Sequence, residues 1–169
     1  MTFGHLSAGY ITSKLLFKEF KHQSVYAKAF MFWGLFGSIA PDFDVLYSLT
    51  ADHIPVNHHA YFSHFPLFWL ALLLMSLFWL QLHRHRNQNP ASAFIFSLNG
   101  FIHTILDTVT GEIWWLAPFV NKPFSLAAER SEIPYFTDWT FGIELFLLLL
   151  AISLWSKGSV REKRNSSIL

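Results

Sequence analysis

Long apolar runs dominate the pattern of hydrophobic and polar positions along this chain. The clearest run extends from Phe65 to Leu82 and is apolar apart from one serine and one glutamine. It reaches the ~18 residues needed to cross the hydrocarbon core of a bilayer, so it predicts a transmembrane helix. A second, shorter run extends from Gly142 to Trp155. Trp139 and Trp155 stand near its ends, where aromatic residues are enriched at membrane interfaces.

Three further apolar runs are shorter or are interrupted by polar residues. The run from Ala29 to Leu49 contains two aspartates, and the run from Ala91 to Val109 contains a histidine and an aspartate. The stretch from Phe3 to Phe17 is apolar and rich in small residues, but short. Together the runs predict an all-α integral membrane bundle of four to five spans.

The composition supports this class of protein. The chain is 53% hydrophobic and 18% aromatic, and only 14% of its residues are charged, whereas soluble domains carry about 25%. The length fits one helical membrane domain, which we place at residues 1–156, followed by a polar, disordered cytoplasmic tail at 157–169. No basic face alternates with aromatic residues, which argues against a nucleic-acid partner.

The positive charges predict an orientation. Most of them form three groups, which are Lys14, Lys18, Lys21 and Lys28, then Arg84 and Arg86, then Lys157, Arg161, Lys163 and Arg164. If the four later runs all cross the membrane, the three groups lie on one side, which the positive-inside rule makes cytoplasmic. The C-terminus is then cytoplasmic. The loops on the other side, Thr50–His64 and Thr110–Thr140, contain several histidines and acids.

Two aspartates near this outer side are candidate metal ligands. Asp42 and Asp44 follow Pro41, and proline disfavours helix for the residue before it. We therefore expect the chain to bend and to present both carboxylates from an extended stretch, where residues two apart point the same way. An ordinary turn beside a proline is an equally good interpretation of this segment alone.

Histidines add to the candidate ligands. His58, His59 and His64 lie within one short segment, and imidazole is the commonest metal ligand among neutral side chains. Histidines at a membrane boundary also serve as headgroup anchors. His5, in the N-terminal run, is a lone histidine that becomes a candidate only in the company of the others. Cysteine is absent, so any metal would be held by nitrogen and oxygen.

The strongest local signal is the pair His103 and Asp107. Residues four apart share one face of a helix, so these side chains can grip one ion from successive turns. Both lie in an apolar run, where an ionisable group is costly and indicates function. The alternative is an interhelical hydrogen bond, to Asp42 or His64 for example. Glu144 remains open: a ligand, a partner that orients a histidine, or an interfacial residue.

Taken in order, these residues resemble a known family. The set is His5, Gly37-x3-Pro41-Asp42-x-Asp44, His59-x3-Ser63-His64, Gly100-x2-His103-x3-Asp107-x3-Gly111 and Pro118-Phe119. It is similar to the bacterial YdjM-like family, described as LexA-regulated, inner-membrane-associated, metal-dependent hydrolases. The resemblance implies a multi-pass protein of the bacterial inner membrane with a His/Asp metal centre and hydrolytic activity.

The chain departs from the family pattern at two positions. Ala60 and Ser63 stand where members commonly have arginine and threonine. Serine keeps the hydroxyl, but the loss of arginine removes a natural phosphate contact. At the level of the fold, the arrangement is also similar to helical zinc-dependent phospholipase C enzymes, whose clustered histidines and aspartates bind several zinc ions.

The combined prediction is a metal centre with seven ligands. They are His5, Asp42, Asp44, His59, His64, His103 and Asp107. This set exceeds the needs of one tetrahedral zinc ion, so we expect one to three divalent ions, zinc first and manganese as the alternative. Asp44 and His64 are also the predicted catalytic residues.

The predicted function is hydrolysis of a phosphoester, of lipid origin, by a metal-activated water at the bilayer surface. Two other functions fit the same residues. One is transport of a metal ion or proton, because intramembrane acids and histidines mark ion pathways. The other is a structural membrane protein in which the metal only pins helices together.

Overall fold

The protein is an all-α bundle, as the apolar runs predicted. The computed structural model describes residues 3–20, 25–52, 58–83, 88–126 and 139–166. Its α-helices are α1 (Gly4–Phe20), α2 (Ala27–Ile39), α3 (Phe43–Tyr47), α4 (Pro66–His83), α5 (Gln88–Thr110) and α6 (Trp139–Ser166). Short 3₁₀ turns lie at Ala40–Asp42, His58–Ala60 and Phe62–His64, and a π-helical turn lies at Ser48–Asp52. Within these ranges, the extended pairing is confined to an isolated bridge between Ile113 and Phe124.

Within the described residues, four helical stretches are long and apolar enough to cross a membrane. They are Ala27–Thr50, Pro66–His83, Gln88–Thr110 and Trp139–Gly158, which correspond to four of the five predicted runs. The fifth run forms α1, a helix of 17 residues that packs against α2, α5 and α6. Large apolar side chains on α4 and α6, such as Phe78 and Phe146, are about 65% exposed. An outward apolar surface of this kind fits a lipid environment.

Small residues let the inner helices approach closely. A Cβ added at Gly34 would collide with Ser13 on α1, and one added at Gly37 would collide with the backbone of Phe96 on α5. Lipid-embedded helices associate through such small residues because lipid offers no hydrophobic drive for burying large ones. α2 is therefore held tightly between α1 and α5.

One buried amide links these three helices. Asn99 on α5 donates from Nδ2 to the carbonyl oxygen of Gly34 at 3.0 Å and to the hydroxyl of Ser13 at 3.1 Å. In an apolar setting an unsatisfied amide would be expensive, so these hydrogen bonds fix the relative positions of the helices. Asn99 was not among the predicted site residues, although an isolated polar residue in an apolar run, one helical turn before His103, is a sequence signal for such a contact.

The segment after Pro41 is helical, which corrects the prediction of an extended stretch. Ala40–Asp42 forms a 3₁₀ turn and α3 follows directly. Proline is tolerated in the first turn of a helix, where its missing N–H would have had no intrahelical partner. The carboxylates of Asp42 and Asp44 consequently make different contacts instead of pointing the same way.

The C-terminal region also differs from the sequence prediction. α6 continues to Ser166, through most of the segment that we expected to be a disordered tail. The added residues include no proline, and lysine, arginine and glutamate are good helix formers. A polar composition therefore did not imply a disordered backbone for residues 157–166. Residues 167–169 lie outside the described part of the chain.

Candidate metal centre

The predicted site residues meet at one end of the bundle. α1, α4 and α6 begin at this end, and α2 and α5 end there. Four stretches of the chain contribute the site side chains: the start of α1, the segment after α2, the segment before α4 and the end of α5. His5 lies in the first turn of α1, Asp42 in the turn after α2, and His64 directly before α4. His103 and Asp107 lie in the last two turns of α5. The bundle therefore brings distant parts of the sequence together.

The pair on α5 has the geometry that its spacing predicted. Nε2 of His103 lies 2.8 Å from Oδ2 of Asp107 and 3.4 Å from Oδ1 of Asp42. Nδ1 of His103 donates to the carbonyl oxygen of Ser38 at 2.7 Å. Since a carbonyl only accepts, Nδ1 carries a proton, and Nε2 of the neutral ring presents its lone pair to the two carboxylates. Such atoms repel each other unless a proton or a metal ion lies between them.

His64 is held in the same manner by a carboxylate. Its Nδ1 donates to Oδ2 of Asp44 at 2.6 Å, and the hydroxyl of Ser63 donates to the same oxygen. Nε2 of His64 lies 3.5 Å from Oδ1 of Asp42 and 3.6 Å from Oδ2 of Asp107. Burial alone would lower the pKa of His64, but the hydrogen bonds to Asp42 and Asp44 outweigh it and raise the pKa above its ordinary value.

His5 and His59 approach the two oxygens of Asp107. Nε2 of His5 lies 3.0 Å from Oδ1, and Nε2 of His59 lies 3.9 Å from Oδ2. The ring of His5 stacks on that of His103 with centroids 3.7 Å apart. Because two imidazolium charges would repel at that distance, the stack favours at least one neutral ring, which is the form that binds metals.

The side chains form two groups that can each hold a metal ion. One group is His5, Asp42 and His103; the other is His59, His64 and Asp107. In each group the ligand atoms lie within 4.8 Å of one another. Asp107 belongs to the second group and also contacts two members of the first. Most of these side chains are nearly inaccessible, but Asp42 is 40% exposed, so the cluster has an open side.

Comparison with known proteins places the chain in a family. The profile of the YdjM inner membrane protein family matches residues 1–164. The chain belongs to this family. Its members are inner membrane proteins, in agreement with the four apolar helices. No curated protein and no solved structure gives a significant match. The family description specifies a membrane location and no reaction.

Glu144 supports the beginning of α1 in this YdjM-family protein. The side chain is 2% exposed, and its Oε2 accepts a hydrogen bond from the backbone N–H of Phe3 at 2.8 Å. A carboxylate is favourable there, because the first N–H groups of a helix lack intrahelical partners and carry partial positive charge. Since His5 is in the first turn of α1, Glu144 helps to position His5 through the backbone.

One contact in the YdjM-family cluster had no sequence signal. The carbonyl oxygen of Ser38 orients His103, but every residue has a carbonyl, so nothing in the side-chain pattern could identify it. Ser63, which was part of the recognised motif, proves to hydrogen-bond Asp44. A hydroxyl at this position preserves that contact, which explains how serine can replace threonine there.

Proposed function

We propose that this protein is a membrane-bound, metal-dependent hydrolase with a two-metal centre that acts on a phosphoester. Two adjacent divalent ions would supply Lewis-acid polarisation and an activated water for this reaction. The observation that carries the proposal is the pair of ligand groups joined by Asp107. Six candidate ligands in one cluster exceed what an ion pair or a single interhelical hydrogen bond requires.

The donor atoms fit a divalent metal. Nδ1 of His5 is buried and makes no hydrogen bond, although a buried polar atom normally has a partner. Nε2 of His103 is also buried and faces two carboxylate oxygens, at 2.8 and 3.4 Å, without an aligned hydrogen bond to either. Imidazole nitrogens with carboxylate oxygens, and no thiolate, suit zinc or manganese. We therefore propose His5, Asp42 and His103 as ligands of one ion, and His59, His64 and Asp107 as ligands of the other.

Asp44 takes a different role in this proposal from that of the other aspartates. One oxygen holds Nδ1 of His64, the usual way in which a carboxylate fixes a metal-binding histidine. The other oxygen, Oδ1, is buried and makes no hydrogen bond. That oxygen can accept a proton from the attacking water, which makes Asp44 the proposed general base and His64 the ligand that it orients.

Metal analysis together with a chelation assay tests the proposal. The purified protein in lipid nanodiscs is expected to contain about two equivalents of zinc or manganese. Hydrolysis of a phosphoester should disappear when a chelator removes the metal, and should return when the metal is restored. Inductively coupled plasma mass spectrometry and a phosphate-release assay give both readouts. Hydrolysis that survives complete removal of metal would overturn the proposed mechanism.

A structural role is favoured by one observation, so it is retained as the second candidate. The ligands come from four separate stretches of the chain, and a bound ion would tie these stretches together. If metal removal lowers the melting temperature and no phosphoester is hydrolysed, the metal is a staple. Metal uptake into proteoliposomes would instead identify the ion as transported cargo.

We also propose that the centre faces the non-cytoplasmic side of the inner membrane, with the C-terminus in the cytoplasm. Lys14 lies beside Gly158, so the basic end of α1 adjoins the far end of α6, opposite the centre. A C-terminal green fluorescent protein fusion is expected to fluoresce, and an alkaline phosphatase fusion at the same place to be inactive. Fusions truncated after Trp115 provide the control and should give the reverse pattern. A fluorescent fusion at Trp115 would contradict the orientation.

A further inference from the structure

A large apolar pocket lies beside the candidate metal centre. Its volume is about 630 Å³, and aromatic and aliphatic side chains supply most of its walls. Those that matter here are Phe43, Tyr47, Tyr61, Phe62, Phe68 and Leu72. The lining residues that carry polar side-chain atoms are Asp44, Ser63, the two tyrosines and Trp69, and the indole N–H of Trp69 donates to the carbonyl oxygen of Ser63. A concave site with apolar walls and a few convergent polar groups is the usual form of a small-molecule site.

The polar end of the pocket coincides with the proposed centre. Asp44 and Ser63 line the pocket, and both hydrogen-bond within the cluster that orients His64. A ligand in the pocket would therefore have one end beside the candidate metal ligands.

The opposite end of the pocket extends along membrane-spanning helices. Leu72 belongs to α4 and lies roughly 9 Å along the helix axis from Pro66, where α4 begins. Phe96, on α5, forms part of the same wall. Both helices are candidate membrane spans, so this end is at the depth of the hydrocarbon and not of the aqueous loops.

The surface around the pocket is also apolar. Phe43, in the span Ala27–Thr50, is 47% exposed, and Phe68, on α4, is 38% exposed; both contribute to the lining. Along membrane-spanning helices the neighbouring molecules are lipid chains, because water is excluded from the bilayer core. The two tyrosines, Tyr47 and Tyr61, suit a boundary between apolar and polar surroundings. The pocket is therefore accessible sideways from the bilayer.

We propose that this pocket binds a hydrocarbon chain of a lipid and places its phosphoester headgroup at the metal centre. The substrate class is then a membrane lipid that bears a phosphoester, entering laterally from the bilayer. The hydrolysis of this lipid, but not its binding, rests on the proposed function. Binding of the chain, in contrast, can be measured without any turnover.

Photo-crosslinking measures the binding directly. A phosphatidic acid with a diazirine in its acyl chain is incorporated into nanodiscs of phosphatidylethanolamine and phosphatidylglycerol, and labelled peptides are mapped by mass spectrometry. Labelling is expected on the segment from Tyr61 to Leu72. Leu72→Trp, which fills the pocket, should reduce that labelling at least about fivefold. Leu74→Trp is the matched control, since Leu74 is 58% exposed on the same helix, and should leave it unchanged. Equal labelling in both variants would overturn the inference.

Measuring the hydrolysis of two substrates distinguishes a failure of the lipid-chain site from a failure of the proposed function. Leu72→Trp should raise the KM for a long-chain phosphatidic acid about tenfold and leave hydrolysis of water-soluble p-nitrophenyl phosphate unchanged, with unchanged metal content as the check on folding. If both substrates are hydrolysed equally by both variants, the pocket has no role and the proposed function stands. If the pocket is labelled but no phosphoester is hydrolysed, the chain site stands and the proposed function fails.

Discussion

Replacing Asp107 with asparagine is expected to remove metal from both proposed positions and to lower the rate of hydrolysis by more than about 100-fold. Oδ1 of Asp107 contacts His5, and Oδ2 contacts the other histidines of the cluster. Asparagine keeps the volume and removes the negative charge that joins the two groups. Metal ions stabilise a phosphoryl transition state by several kcal/mol, and each ~1.4 kcal/mol is tenfold in rate.

The control for Asp107→Asn is Glu19→Gln, a charge-neutralising change at an exposed position on α1. Metal content and kcat of this variant should equal those of the native protein. Circular dichroism of both variants checks that the bundle is intact. An Asp107→Asn protein that retained its full metal content and rate would remove the basis of the two-metal proposal.

Asp44→Asn should have a smaller effect on metal binding than Asp107→Asn. In the structure Asp44 orients His64 through its hydrogen bond to Nδ1. Loss of such an orienting partner weakens metal affinity about 10–100-fold without removing a ligand. If Asp44 instead binds the metal directly, as first predicted, its replacement should abolish one equivalent of metal. A zinc titration measured by isothermal titration calorimetry distinguishes a weaker affinity from the loss of one equivalent of metal.

The fold was largely predictable because its signal is local. An apolar run predicts a membrane helix from its own residues, and four of the five runs became candidate spans in the described part of the chain. The relation between His103 and Asp107 was predictable for the same reason, since helical geometry places residues four apart on one face. The convergence of His5 with residues of α5 was expected only through the resemblance to a family.

The details of the site depend on non-local geometry, which the sequence pattern does not contain. Whether Asp44 points at a metal or at His64 is decided by the helical turn after Pro41 and by the path of the chain into α4. The contact between His103 and the carbonyl of Ser38 depends on how closely α2 approaches α5. Glu144 could be assigned to the beginning of α1 only once α6 was seen to lie beside it.

The close approach of α2 and α5 leads to the second prediction: Gly37→Ala should destabilise the protein by about 1–3 kcal/mol. Alanine is normally the better helix residue by about 0.5–1 kcal/mol. At Gly37, however, the added Cβ would meet the main-chain atoms of Phe96, which cannot rotate away as a side chain can. The two helices would have to move apart.

Gly142→Ala supplies the matched control, because a Cβ added at Gly142 on α6 has nothing within 4 Å. This variant should melt at the same temperature as the native protein or slightly above it, while Gly37→Ala should melt lower. Equal melting temperatures for the two variants in the same nanodiscs would show that the helices do not pack as described.

Gly37→Ala should also change the geometry of the metal centre. Ser38, the next residue after Gly37, provides the carbonyl that accepts from Nδ1 of His103 at 2.7 Å. If α2 moves away from α5, this hydrogen bond lengthens and the imidazole loses the support that directs Nε2 towards the carboxylates. Gly37→Ala should therefore weaken zinc binding in the folded protein, whereas Gly142→Ala should not. A drop in melting temperature without any change in zinc affinity would show that the spacing of these helices supports the bundle but not the centre.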